Sequence, residues 1–303
     1  MTFEAAYLKL YREGILLERV KSLWKILESC TLCPRQCRIN RLDGERGFCQ
    51  TGKDLHISSS FPHFGEEPPL VGQFGSGTIF LTYCNLLCVF CQNYDISHLG
   101  HGQKISLEQM ADSMLQLQQA GCHNINFVTP THFVPQIISA LPLAIKRGLH
   151  LPLVYNCSGY ESPEVLRLLQ GIVDIYMPDA KFSQSEAAGK YCHAEDYPIR
   201  LKENLKEMHG QVGDLQINSK GIAERGLLIR HLVMPDRLAG TEELMSFIAK
   251  ELSPTSYVNI MSQYRPCYQA KEFEEINRRL TTKEFLEAIV LARKTGLTRG
   301  FGM

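Results

Sequence analysis

Along most of the chain, short runs of apolar residues alternate with longer stretches in which apolar residues recur every three to four positions. The short runs predict β-strands, and the longer stretches predict amphipathic helices. The strands are expected at residues 78–83, 124–128, 151–155, 173–177, 227–234 and 257–261. Because a helical stretch follows each run, the pattern predicts six strand-then-helix units.

The helical stretches cover residues 107–120, 133–147, 164–169, 185–208, 242–251 and 283–295, and the fourth is long enough for two helices. Ser106 stands at the N-cap position of the first, and Gly121 directly follows its end. A further helical pattern covers residues 2–28, before any predicted strand. A loop rich in Pro, Gly and Ser is expected at residues 58–77.

Six consecutive strand–helix units predict an α/β fold with a parallel sheet. Right-handed crossovers would curve this sheet into a partial (β/α)6, TIM-like barrel. We expect a helical and cysteine-rich extension at residues 1–57, and the barrel with its C-terminal helices at residues 58–303. Ligands in such folds bind at the carboxyl ends of the strands, so we look for the site there.

Composition narrows the functional classes. The 303 residues carry 32 Lys and Arg against 32 Asp and Glu, and zero net charge argues against a nucleic-acid or anionic-membrane partner. Residues 68–94 and 113–145 are uncharged, but Gly, Pro, Asn and Gln interrupt both, so no membrane span is expected. The eleven cysteines are an odd number, and the charged N-terminus does not resemble a secretory signal. We therefore expect a cytoplasmic protein without a disulfide framework.

Three cysteines follow the first predicted strand with the spacing Cys84-x3-Cys88-x2-Cys91. They could be buried structural cysteines, or three ligands of a zinc ion whose fourth ligand lies elsewhere. A [4Fe–4S] cluster takes one ligand per iron, so three cysteines would leave one iron open to a substrate or cofactor. The spacing therefore makes a metal site with an open position the sharpest hypothesis.

The surrounding residues carry a family resemblance. Residues 75–93 read GSGTIFLTYCNLLCVFCQN and place the three-cysteine run on the loop after the first predicted barrel strand. In this setting the run resembles the radical S-adenosylmethionine (SAM) superfamily. More narrowly, the chain resembles the group related to pyruvate formate-lyase activating enzyme, from the region of Cys30 to about residue 266.

The resemblance implies that Cys84, Cys88 and Cys91 hold a [4Fe–4S] cluster whose open iron chelates the amino and carboxylate groups of SAM. It also implies reductive cleavage of SAM into methionine and a 5′-deoxyadenosyl radical, which abstracts hydrogen from a substrate. By the same resemblance Phe90 would line the adenine. An electron donor of the flavodoxin or ferredoxin type is the implied partner, while the protein positions the cofactor and excludes water.

Polar residues follow the second and third predicted strands. Thr129, Thr131 and His132 stand where many superfamily members carry a Gly-Gly-Glu type motif for the SAM amino group. Backbone carbonyls and the hydroxyls of Thr129 and Thr131 are alternative acceptors. His132 is a candidate catalytic residue, as a proton donor or substrate contact, with a helix-capping turn as the alternative. Asn156 and Ser158 are candidates for binding ribose or carboxylate, with an ordinary turn as the alternative.

Charged residues mark the next two strands. Asp179 and Lys181 resemble the Asp-x-Lys pair at the same strand end in the activating enzymes, and such a pair suits the zwitterionic methionine moiety of SAM. A local ion pair is the alternative. Arg230 lies inside an apolar strand, so it needs an anion, either a ligand carboxylate or a structural Asp or Glu. Lys181 and Arg230 join His132 as candidate catalytic residues, and also join the cofactor-binding candidates.

A second metal signature lies near the N-terminus, with the spacing Cys30-x2-Cys33-x3-Cys37-x11-Cys49. Four cysteines complete a ligand set by themselves, and both zinc and a second [4Fe–4S] cluster fit. We refer to residues 30–49 as the cysteine knot. The other cysteines are predicted to be buried or inert: Cys122, Cys157, Cys192 and Cys267.

Three functional hypotheses follow. The first is a radical SAM enzyme, activating-enzyme-like, that acts on an unknown substrate, which could be a small molecule, a peptide, a nucleotide or a protein. The second is a true glycyl-radical activase with a partner enzyme. The third is a non-enzymatic iron–sulfur or zinc protein for electron transfer or binding. A bacterial ferredoxin run has a fourth local cysteine, which residues 84–91 lack, and this argues against the third hypothesis.

Overall fold

The computed structural model describes residues 3–301, which contain ten strands and eleven α-helices. The strands are β1 Leu55–His63, β2 Ser76–Leu81, β3 Gln103–Ile105, β4 Ile125–Val128, β5 Leu153–Cys157, β6 Ile175–Pro178, β7 Gln216–Ile217, β8 Ala223–Leu232, β9 Tyr257–Met261 and β10 Arg299–Phe301. The helices are α1 Ala6–Arg12, α2 Ile15–Lys25, α3 Pro68–Val71, α4 Tyr94–Ser97, α5 Leu107–Gln119, α6 Val134–Lys146, α7 Pro163–Leu169, α8 Ser185–Cys192, α9 Tyr197–Val212, α10 Thr241–Phe247 and α11 Thr282–Lys294.

The six predicted strands correspond to β2, β4, β5, β6, β8 and β9, which pair in parallel and in chain order. Most of their side chains are buried, as expected where helices cover a parallel sheet. The predicted α/β class with a partial (β/α)6, TIM-like barrel is therefore confirmed. The last of these strands, Tyr257–Met261, has the bounds that the sequence predicts, and the others shift by one to four residues.

Contacts across the sheet show that it curves round. The strand order runs β10-β9-β8-β6-β5-β4-β2-β1-β3, so β1 and β9 are six positions apart. In a flat sheet this separation would be roughly 29 Å at the usual strand spacing. Yet Glu67, just after β1, accepts a hydrogen bond from Asn259 of β9 at 2.9 Å. The sheet therefore bends until the segment after β1 covers the open side of the barrel.

Two local predictions are wrong. The single helix expected over residues 2–28 is two helices, because Gly14 adopts a left-handed conformation (φ 77°) between α1 and α2; residue 2 lies outside the described residues. The loop expected at 58–77 begins with most of β1, which pairs antiparallel with β2. Its serines and Pro62 hid the strand, since they fit an edge better than a core strand. The predicted boundary at residues 57/58 falls inside β1, and the division into domains stays a prediction.

The N-terminal helices cover the end of the barrel that is opposite the ligand side. The hydroxyl of Tyr7 donates to the carbonyl of Leu151, just before β5, at 2.9 Å. The backbone N–H of Ala6 donates to Asp174, just before β6, at 2.9 Å. Asp174 is fully buried, and burial raises its pKa to about 7. Within residues 3–301, no helix combines the length and the apolar character that a bilayer span requires.

Candidate functional site

A cavity of about 230 Å³ opens at the carboxyl ends of the parallel strands. We call it the first cavity. It is lined by residues from six separate segments of the chain, which fits the rule for ligand sites in parallel α/β folds. Its wall includes most of the predicted site residues: Cys84, Cys88, Phe90, Cys91, Thr129, Asn156, Ser158, Asp179, Lys181 and Arg230.

The three cysteines come from the loop after β2, which turns back on itself. Tyr83, directly before Cys84, and Leu87, directly before Cys88, have positive φ angles of 66° and 55°. The backbone N–H of Leu86 donates to the Sγ of Cys84 at 3.3 Å. The loop thus presents three thiols to one cavity, and backbone hydrogen bonding orients the first of them.

The other two thiols also have polar neighbours. The Sγ of Cys91 lies 3.1 Å from the hydroxyl of Ser97, at the end of α4. The thiol of Cys192, at the end of α8, donates to the Sγ of Cys88 at 3.1 Å. Burial raises the pKa of Cys84 to about 12, so ligation of iron there must displace a proton. Sequence reasoning treated Cys192 as isolated, because about a hundred residues separate it from Cys88.

The charged residues form one network on the far wall of the first cavity. Asp179 follows β6 and accepts hydrogen bonds from Lys181 at 2.6 Å and from Arg230 of β8 at 2.8 Å. Arg230 also donates to the amide oxygen of Asn156 at 2.8 Å, and lies 3.4 Å from Glu66. Burial alone would raise the pKa of Asp179, but the two cations bring it below its usual value. All three charges are therefore present at neutral pH.

The remaining candidates on this wall are uncharged. Thr129 has a positive φ of 59°, and its N–H donates to the carbonyl of Asn156 at 2.8 Å, so the ends of β4 and β5 are joined. Ser158 lies 3.4 Å from the amide of Asn85, in the cysteine loop. Phe90 is buried against the edges of two aromatic rings, at 6.0 and 6.1 Å between centroids. These residues supply hydrogen-bonding groups and one apolar surface.

His132 is not among the residues that line the first cavity, so the structure does not bring this candidate catalytic residue together with the other site residues. Its ring is 1% exposed, and its Nε2 donates to the carbonyl of Thr82 at 2.7 Å. Burial lowers its pKa to about 3, so the ring is neutral and holds the end of β2 in place. This position suits a structural role better than proton donation to a ligand.

The buried ring of His132 predicts an acid-sensitive contribution to stability. Its pKa is about 3 in the folded protein, whereas an unfolded histidine has a pKa of about 6.5. The unfolded state therefore binds more protons in this window, so the contribution is present above pH 6.5 and lost as the pH falls. We expect His132→Gln to reduce the loss of unfolding free energy between pH 6.5 and 4.5 by about 2 kcal/mol, measured by urea denaturation.

The exposed ring of His150 offers a matched control, because it lies on the surface before β5. His150→Gln should leave the pH profile of the wild type unchanged. Equal acid sensitivity of the wild type and His132→Gln would contradict the buried neutral ring.

A buried polar network joins the ends of β4 and β5, and sequence reasoning missed it. Glu161 is fully buried, and accepts hydrogen bonds from Thr131 at 2.8 Å and Tyr155 at 2.9 Å. Burial raises its pKa to about 7. Thr131 thereby anchors the turn after β4 from within, which explains why its hydroxyl is turned away from the first cavity.

The cysteine knot packs directly against the cysteine loop. Arg35, between the second and third knot cysteines, donates to the carbonyl of Asn85 at 3.1 Å and to that of Cys192 at 3.2 Å. A Cβ on Gly47 would lie 2.7 Å from the Sγ of Cys37, so the knot is tightly wound. Burial raises the pKa of Cys33, and neighbouring Cys49 and Cys30 raise it further. Within residues 3–301, no three potential ligands converge closely enough for one bound ion.

Comparison with known proteins gives the following matches. The family model for the radical SAM superfamily matches residues 78–212. The uncharacterized protein MJ0674 of Methanocaldococcus jannaschii is 35% identical over 97% of this chain and 83% of its own length. The uncharacterized protein MJ0808 of the same organism is 24% identical over 56% of this chain and 54% of its own length.

Among solved structures, HydG, a maturase of the [FeFe]-hydrogenase, is similar to 72% of this chain, with a TM-score of 0.47 and 15% identity. The chain spans 49% of that protein's length. The family match begins in β2 and ends with α9, and includes the three cysteines of the loop together with Asp179 and Lys181. The family implies a [4Fe–4S] cluster and SAM as cofactors, and the three thiols at the ligand end of the barrel fit the cluster. The chain belongs to the radical SAM superfamily.

Proposed function

We propose that this chain is a SAM-cleaving enzyme in which Cys84, Cys88 and Cys91 would hold the [4Fe–4S] cluster. The observation that carries the proposal is that the three thiols share one cavity with the network of Asp179, Lys181 and Arg230. When bound, cluster and SAM together supply a 5′-deoxyadenosyl radical for hydrogen abstraction. A set of three thiols supports an open-site cluster better than a closed zinc site.

The residues of the chain would bind and orient SAM. The ammonium of Lys181 and the carboxylate of Asp179 would face the carboxylate and amino groups of its methionine part. Phe90 would give the adenine an apolar surface, while Asn156 and Ser158 would offer hydrogen bonds to the ribose. The hydroxyl and carbonyl of Thr129 would accept from the amino group in place of the missing Gly-Gly-Glu type motif. Burial of this wall would exclude water from the reaction.

The test is release of 5′-deoxyadenosine. Protein reconstituted with iron and sulfide under anaerobic conditions, reduced and mixed with SAM, should form the product, measured by chromatography and mass spectrometry. Omission of SAM or of the reductant should each remove it. Failure to form product at verified cluster loading would overturn the proposal. A flavodoxin or ferredoxin should replace the chemical reductant if the expected partner is correct.

We further propose that the cysteine knot holds a second metal centre. Support comes from its four thiols, its tight winding and the bridge from Arg35 to the cysteine loop. The metal would be either zinc or the iron of a second cluster, and its binding would draw together thiols that do not yet converge on one point within residues 3–301. The activating-enzyme-like function that we propose does not identify the substrate. If the chain is a true activase, it would produce a glycyl radical signal on its partner enzyme.

Substitution of Gly47 tests the knot. The Cβ of Gly47→Ala would meet the Sγ of Cys37 at 2.7 Å, so the thiol must move out of its place. We expect at least a fivefold loss of the second metal, measured by elemental analysis of zinc and iron, with product formation from SAM still detectable. Gly210→Ala is the matched control, since nothing lies within 4 Å of its added Cβ. Unchanged metal content in Gly47→Ala would count against the centre.

A further inference from the structure

A second cavity, of about 330 Å³, lies beside the first, between β9 and the segment that follows β1. Arg230, Met261 and Gln263 line both cavities, so the two spaces adjoin. The second cavity therefore lies at the open side of the barrel, next to the wall on which we place SAM.

Two consecutive carboxylates give the second cavity its chemistry. Glu66 and Glu67 both line it, and both side chains are buried. Burial raises the pKa of Glu66, whereas Arg230, 3.4 Å away, lowers it. Burying a carboxylate costs free energy unless a cation or a hydrogen-bond donor lies beside it. Glu66 and Glu67 therefore both need such groups.

One of the two carboxylate oxygens of Glu67 lacks a hydrogen-bond partner. Its Oε1 accepts a hydrogen bond from Asn259 at 2.9 Å. Its Oε2 is buried and has no hydrogen-bond partner within residues 3–301, although the residue is only 4% exposed. An acceptor left unpaired in such a place is expensive, and a donor on a ligand in the cavity would satisfy it.

The nearby cation is already engaged elsewhere. Arg230 directs its Nε to Asp179 and one terminal nitrogen to Asn156, both at 2.8 Å, while the other lies 3.4 Å from Glu66. Lys181 is bound to Asp179 as well. The three carboxylates Asp179, Glu66 and Glu67 therefore share the two cations Arg230 and Lys181 across the joined cavities.

We infer that the second cavity is the substrate site, and that it recognises a cationic group with N–H donors, a guanidinium or a protonated amine, through Glu66 and Glu67. The inference rests on the proposed function, because it assigns the molecule on which the radical acts. A substrate anchored by its cationic end at Glu67 extends past Arg230 toward the cysteines. The cationic end supplies the hydrogen bond that Oε2 lacks and the charge that the carboxylates need.

A pair of probes with the same shape and different charge tests this. Pentylguanidinium and pentylurea should be titrated into the reconstituted protein with SAM present, and binding followed by calorimetry. We expect at least tenfold tighter binding of pentylguanidinium. Equal affinities in the wild type would overturn the inference without the need for any variant.

Substitutions test whether the preference for pentylguanidinium depends on Glu67. Glu67→Gln keeps the shape of the side chain but removes its charge, and should reduce the preference for pentylguanidinium to less than threefold. Glu164→Gln, at an exposed position on α7, is the control and should keep the full preference. A full preference retained in a folded Glu67→Gln protein would refute the assignment to this cavity.

The two proposals fail in different ways. Wild-type protein that discriminates between the probes but never cleaves SAM contradicts the proposed function and leaves the cationic site standing. Protein that cleaves SAM but binds both probes equally contradicts the cationic site alone.

Discussion

Cys88→Ala is expected to abolish formation of 5′-deoxyadenosine, with a decrease of at least about a hundredfold. Cys88 is the middle thiol of the three and lies 8% exposed at the wall of the first cavity. A [4Fe–4S] cluster needs protein ligands on its closed irons, so two thiols would leave a second iron open and the cluster labile. The substitution should remove about four irons per chain, measured by elemental analysis and by the absorbance of the cluster.

The chain offers a matched control in Cys122, another buried cysteine, whose thiol donates to the carbonyl of Phe74 at 3.8 Å. Cys122→Ala should retain both the iron and the product. The second metal that we propose for the cysteine knot should survive in Cys88→Ala, since none of the four knot thiols is changed. A Cys88→Ala protein that keeps its full iron content and forms product would remove Cys88 from the ligand set.

The variant Cys192→Ala tests whether Cys192 is a ligand of the cluster or only a hydrogen-bond donor to the ligand Cys88. Cys192 donates to Cys88 at 3.1 Å but does not line the first cavity. We therefore expect the cluster to assemble in Cys192→Ala with a changed reduction potential, because hydrogen bonds to the sulfurs set that potential. Potentiometric titration followed by EPR measures the change, and an unchanged potential would exclude the hydrogen bond.

Much of the site could be predicted because its residues are close in sequence to a strand end. The three cysteines share one loop after β2, and Asn156 and Asp179 lie at the ends of β5 and β6. In a parallel sheet the carboxyl ends meet at one edge, so chain order alone brings such residues together. The same reasoning failed for His132. Chain order shows at which end of a strand a residue lies, but it does not show to which side the ring of that residue turns.

Contacts that depend on the curvature of the sheet could not be predicted. Glu66 and Glu67 reach Arg230 and Asn259 only because the sheet bends round, and more than 160 residues separate the partners. The strand that leads to them, β1, has no continuous apolar run. The link between Cys88 and Cys192 depends in the same way on how α8 packs over the loop.

Asp179→Asn is expected to lower the free energy of unfolding by about 3 kcal/mol, the cost of breaking a buried ion pair from one side. Asp179 is the shared anion of Lys181 and Arg230, and the three side chains are 17–19% exposed. The amide keeps one acceptor but carries no charge, so two cations would remain in a poorly solvated place. Urea denaturation at pH 7 measures the loss.

Asp112→Asn is the control, because it removes the carboxylate from an exposed pair with Arg147. Exposed pairs contribute about 1 kcal/mol or less. The two variants change the same chemical group, so a larger effect at Asp179 measures burial rather than charge.

The pH dependence of the stability difference between the wild type and Asp179→Asn shows whether the ionised carboxylate causes that difference. The neighbouring cations lower the pKa of Asp179 below its ordinary value, so its contribution is complete above the unfolded pKa of about 3.9 and lost as the pH falls below that. The difference between the wild type and Asp179→Asn should therefore be constant from pH 8 to 5 and shrink in stronger acid. A loss under 1 kcal/mol at pH 7 would mean that Glu66, 3.4 Å from Arg230, takes over as its counter-ion.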